Sequence, residues 1–271
     1  MPRGRPWGPE GPAPEPVNLA TALLPLLPGG KGVIAFVGAG GKTSALFGLA
    51  RDMEGQGLRV LVTATSHLMD PRWEPSRPAF DLVLRPDLEF PSKPATLPEA
   101  HPGLTVLLSR PAEPPGKLKG IHPAWIPALR ASWDLILVEA DGSKRLPVKA
   151  PAPHEPVIPP GTDLVVGLVG LDCLERPMDG QTVHRPDHFS AITGCAIGEP
   201  IAWQHLAALV RHPEGLFKQA TGACVILFNK VDKAPFIPSE AQFEALPADL
   251  ILLGSLEPTG RVIVIHPGRR A

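Results

Sequence analysis

The chain has 271 residues, 26 basic and 27 acidic side chains and a formal net charge of -1, enough for one large or two small domains with a buried core. It lacks the basic excess that a nucleic-acid or anionic-membrane partner calls for. Cys173, Cys195 and Cys224 are too widely spaced for a disulfide framework or a C-x-x-C metal pair, and no signal peptide or apolar run of about 18 residues is evident. The expectation is a soluble, cytoplasmic protein with no nucleic-acid and no membrane partner.

Prolines crowd the first 16 residues, denying the backbone its donors, so residues 1–28 read as a Pro-rich tail followed by a short helix. Asn18 is placed to cap that helix over 19–27, and Pro28-Gly29-Gly30 to stop it. Residues 29–271 read as one P-loop nucleotide-binding domain. Its continuous apolar runs, at 33–37, 60–64, 135–138, 164–169, 225–228, 251–253 and 262–265, predict strands covered on both faces, hence a mostly parallel sheet. Helices are predicted over 42–54, 124–132, 201–211 and 239–245. The fold class is therefore α/β, and the glycine-rich segment at 38–44 makes the expectation a three-layer P-loop NTPase-like fold. Residues 71–123 form a Pro-rich excursion with short edge strands at 82–84 and 105–108, antiparallel pairing being the expectation.

Directly after the first long strand comes Gly38-Ala39-Gly40-Gly41-Lys42-Thr43-Ser44. Glycines let successive amides curl toward an anion, and the following helix adds its N-terminal partial charge. Lys42 is then the catalytic cation on the β- and γ-phosphates, with the Thr43 hydroxyl on Mg²⁺. The pattern is the short G-x-x-G-K-[ST], which resembles the ATP loop of Mur-type amide ligases as well as that of GTPases.

The strand at 225–228 runs into Asn229-Lys230-Val231-Asp232. In N-K-x-D at a strand end, Asp232 accepts from guanine N1-H and the 2-amino group, Lys230 covers the ring and Asn229 holds the loop. Adenine would leave the Asp232 carboxylate buried and unpaired, so GTP is favoured over ATP. Gly254-Ser255-Leu256 stands where a backbone amide would meet guanine O6.

Glu139 and Asp141 end the strand at 135–138 and are both candidates to support Mg²⁺, Asp141 being preferred because Gly142 follows as a hinge. Thr65 and His67, after the strand at 60–64, are candidates to position an attacking water. Ser143-Lys144-Arg145 adds cations, and residues 149–156 and 184–189 read as rigid loops pinned by prolines.

Several blocks resemble a known family: VGAGGKTS at 37–44, VTATSHL at 62–68, DLILVEADGSKRLPVKAP at 134–151, HEPVIPP at 154–160, VVGLVGLD at 165–172, VHRP at 183–186 and FNKVD at 228–232. In these the chain is similar to the selenium-dependent hydroxylase accessory proteins, the YqeC-like family. The resemblance implies a P-loop nucleotide-binding protein that assists maturation of selenium-dependent molybdenum hydroxylases, with such a hydroxylase or its maturation proteins as partner. The reading is a Mg²⁺-dependent GTPase or nucleotide switch. An ATP-dependent ligase or kinase, or a nucleotide-binding scaffold without turnover, are the alternatives.

Overall fold

The computed structural model describes residues 15–265 apart from 54, 75, 92–95 and 114; most of the Pro-rich tail lies outside the described residues. Ten strands form one sheet among the described residues. In chain order they are β1 (Val17–Asn18), β2 (Gly32–Gly38), β3 (Arg59–Ala64), β4 (Asp81–Leu84), β5 (Gly103–Leu108), β6 (Leu135–Glu139), β7 (Leu164–Gly170), β8 (Ala223–Asn229), β9 (Leu250–Ser255) and β10 (Arg261–Ile265). Across the sheet the order is β1-β10-β9-β8-β7-β2-β6-β3-β5-β4. All neighbours from β9 to β4 are parallel, and at one end only β10 runs against the rest, pairing antiparallel with both β9 and β1.

The helices are α1 (Leu19–Leu23), α2 (Lys42–Asp52), α3 (Ile126–Leu129), α4 (Pro186–Thr193), α5 (Trp203–Arg211), α6 (Glu240–Glu244) and α7 (Leu256–Thr259). Strand alternation divides the core. Ile34 and Phe36 of β2 face a layer containing α1 and α2, while Ala35 and Val37 face the layer of α4, α5 and α6. Val33 meets a third cluster with Ile126 and Leu129 of α3. Burial on both faces explains why the strands read as unbroken apolar runs. Asn18 caps α1 as expected, accepting from the Thr21 amide at 2.8 Å, and Leu19 and Leu23 are packed into the core.

Two expectations are corrected. β4 and β5 pair in parallel, and β5 pairs in parallel with β3, so the excursion extends the main sheet. The 18 residues between β4 and β5, part of them outside the description, are long enough for the crossover a parallel pair requires. Antiparallel pairing occurs instead in a small ribbon, His67–Met69 and Pro111–Ala112 against Lys117–Lys119. Secondly, the segment read as a Pro-pinned loop at 184–189 opens α4. Pro186 takes the first helical position, where a missing N-H costs nothing.

Candidate functional site

Because β2, β3, β6, β7, β8 and β9 are parallel, their carboxyl ends line one edge of the sheet, where open α/β folds present their crevice. Gly38, Glu139, Asn229 and Ser255 close four of these strands. Residues scattered over more than two hundred positions are thereby brought to one rim.

The loop after β2 is tightly built. A Cβ on Gly40 (φ +86°) would lie 2.3 Å from the Gly170 amide nitrogen, and one on Gly41 (φ +126°) 2.4 Å from Asn229 Nδ2. No side chain fits either place. The amides of Gly38, Ala39 and Gly40 do not curl toward an anion as expected. They donate to Asp141 Oδ2 at 3.1 Å, Leu168 O at 2.9 Å and Leu146 O at 3.0 Å. The amides of Gly41, Lys42, Thr43 and Ser44, at the open end of the 11-residue α2, have no acceptor among the described residues. They form the donor set for an anion.

Lys42 folds back, its Nζ donating to Gly38 O at 2.7 Å and lying 3.1 Å from Asp141 Oδ1, both side chains at most 2% exposed. An ammonium has three hydrogens and only Gly38 O accepts one, so two donor directions are left. The Thr43 hydroxyl donates to Glu139 Oε2 at 2.8 Å. Burial raises the Glu139 pKa, opposed by the Lys42 charge and the Thr43 hydroxyl. Asp141 sits differently: Oδ2 is 2.8 Å from Lys149 Nζ, and buried Oδ1 accepts no hydrogen bond although Lys42 stands beside it. The Thr43 hydroxyl with the Glu139 carboxylate is the donor set that suits a hard divalent cation, whereas Asp141 is held between two ammonium groups that would repel one.

At the other end, Asn229 Nδ2 donates to Gly40 O at 2.8 Å and its Oδ1 accepts from the Leu256 amide at 3.0 Å. One side chain thus ties the glycine-rich loop to the turn after β9. Ser255 Oγ donates to Asp232 Oδ1 at 2.6 Å and accepts from the Asp232 amide at 3.0 Å. Asp232 is exposed. Lys230, with left-handed φ of +61°, pairs with Asp172 Oδ2 at 2.9 Å.

The water-positioning candidates are not brought together. Thr65 is adjacent to Glu139 through its amide, which donates to Glu139 O at 3.1 Å, but its hydroxyl is spent on Val157 O at 2.7 Å. His67 is exposed on the small ribbon. Its pKa is lowered by partial burial of the ring and by Lys117, Lys119 and Arg110, and no hydrogen bond joins it to the glycine-rich loop among the described residues.

Sequence reasoning left Lys149, Glu155 and Arg185 without a role. Lys149 Nζ bridges Asp141 Oδ2 and Glu155 Oε2, at 2.8 and 2.7 Å, and donates to Gly142 O at 2.7 Å. Glu155 also pairs with Arg185, the residue before α4. Burial works to raise the Glu155 pKa, but Arg185 and Lys149 outweigh it and hold it at about 2. For His184, burial with Arg185, Lys149 and Lys144 pushes the pKa down to about 4. The available signal was charged residues set inside Pro-flanked, strand-like segments, where burial forces them to pair.

The model of the YqeC protein family matches residues 34–187. A protein of Escherichia coli K12, named only as uncharacterized protein YqeC, is 39% identical over 200 residues, covering 71% of this chain and 72% of that protein. No solved structure matches the chain.

Proposed function

The chain belongs to the YqeC family, and on that footing we propose that it is a Mg²⁺-dependent P-loop nucleotide-binding protein that reads guanine and hydrolyses GTP, serving the maturation of selenium-dependent molybdenum hydroxylases. The observation that carries the nucleotide reading is the Asn229 side chain, which bonds the phosphate loop at Gly40 O and the base-side turn at the Leu256 amide simultaneously. Such a bridge sets a fixed span between a phosphate site and a base site. The part in hydroxylase maturation rests on the EADGS and HEPVIPP blocks, at 139–143 and 154–160.

In this reading the Gly41 to Ser44 amides hold the phosphates. Lys42 turns from Gly38 O and Asp141 toward them, and Asp232 Oδ2 takes guanine while Oδ1 stays on Ser255. Thr43 and Glu139 would hold Mg²⁺, which supplies charge neutralisation on the β- and γ-phosphates. Lys149 keeps the Asp141 carboxylate paired as Lys42 moves.

Calorimetry with GTP and ATP, each with and without Mg²⁺, tests this. Wild type should prefer GTP by about tenfold or more, the worth of one hydrogen bond to a charged group. Asp232→Ala should bind the two alike, and Lys42→Ala should lose affinity for both. Equal binding of ATP and GTP by wild type would favour the ligase or kinase alternative.

A further inference from the structure

Ser44 Oγ donates to Glu257 Oε1 at 2.9 Å across 213 residues of chain. Glu257 interrupts the helical turn Leu256–Thr259 with extended backbone (φ -117°, ψ 126°). It follows directly on Ser255 and Leu256, whose hydroxyl and amide hold Asp232 and Asn229. Its carboxylate therefore stands between two fixed points, the first turn of α2 where the free amides lie and the loop that carries Asp232. In a nucleotide the sugar occupies that interval, because it links the phosphate chain to the base covalently.

We propose that Glu257 is the sugar-specificity residue of this site and accepts hydrogen bonds from the vicinal 2′- and 3′-hydroxyls of a ribonucleotide. The assignment rests on the nucleotide reading above and names a part of that site not yet given a residue. A carboxylate is acceptor-only with two oxygens, and a cis-diol offers two O-H donors, so the chemistry matches in number and polarity. Glu257 is exposed, and Oε2 accepts no hydrogen bond among the described residues although the Arg77 charge acts on the carboxylate; Oε1 gives up only the Ser44 hydroxyl, which water can satisfy. No other described acidic side chain hydrogen-bonds between these two points: Glu139 is taken by Thr43, and Asp232 by Ser255.

The test is calorimetry in Mg²⁺ buffer with GTP, 2′,3′-dideoxy-GTP and ATP on the full chain, in wild type, Glu257→Ala and Asp232→Ala. Wild type should bind GTP about tenfold or more tighter than the dideoxy nucleotide, as expected for charge-assisted hydrogen bonds. Glu257→Ala should bind both at the wild-type dideoxy level while keeping its preference for GTP over ATP. Equal binding of GTP and dideoxy-GTP by wild type, or an equal weakening of both in Glu257→Ala, overturns the sugar assignment and leaves the guanine reading standing. Loss of GTP-over-ATP preference in Asp232→Ala supports the guanine reading independently. Absence of binding by every nucleotide overturns both.

Discussion

The two flanks of the glycine-rich loop are held by different physics. On the proposed base side, Asn229 bonds Gly40 O and the Leu256 amide and Ser255 bonds Asp232, all through uncharged donors, and Asp232 and Glu257 remain exposed. On the opposite flank, Asp141, Lys149, Glu155 and Arg185 form a chain of charges, the first three at most 8% exposed. Buried charges persist only when paired, and breaking one pair strands the other. The proposed base side thus has fewer buried charges to strand, while the charged flank acts as a rigid support for the loop.

This contrast orders the expected effects on stability. Lys149→Ala should be the most damaging, because it leaves Asp141 and Glu155 buried with fewer counter-charges: a loss of about 3–5 kcal/mol by denaturant titration. A loss under about 1 kcal/mol would show that the flank is not charge-locked. Asn229→Ala comes next. It strands the Leu256 amide and Gly40 carbonyl, at about 1–3 kcal/mol for each buried group left unpaired, and should also uncouple the loop from the base-side turn, read as faster amide exchange at Leu256.

Acid should separate the flanks. Glu155 has an ordinary pKa of 4.5 and a folded value of about 2. Its contribution is therefore fully present above about 4.5 and is lost as pH falls toward 2. Thermal melts across that window should slope less steeply for Glu155→Gln than for wild type; identical slopes would remove Glu155 from the network's account. The smallest stability effect is expected for Asp232→Ala, within about 0.5 kcal/mol because the residue is exposed. A larger change would mean that the base side is structural support as well.

Much of the frame was legible from local pattern. The runs at 33–37, 164–169 and 225–228 each fall inside observed strands, because burial on both faces leaves no polar alternation to confuse them. The helix predicted over 239–245 was visible from the same local pattern and is observed as Glu240–Glu244. Less legible was the pairing of β4 and β5, since an apolar run of three or four residues does not state its direction. Likewise, α4 was hidden by Pro186, a residue that breaks a helix anywhere but at its start.

By itself, the sequence determined the kind of sheet, the position of the glycine turn before α2 and the presence of N-K-x-D at a strand end, all consequences of periodicity and backbone freedom within a few residues. Tertiary structure alone decided which carboxylate Thr43 meets, Glu139 at a separation of 96 residues, and that Asn229 reaches Gly40 across 189. Alternation puts Glu139 and Asp141 on one side of the chain without distinguishing them. Only the parallel register, with Glu139 opposite Phe36 on β2 and Ala64 on β3, and the burial of Lys149 beside Asp141, separate a carboxylate that faces a hydroxyl from one held by two ammonium groups.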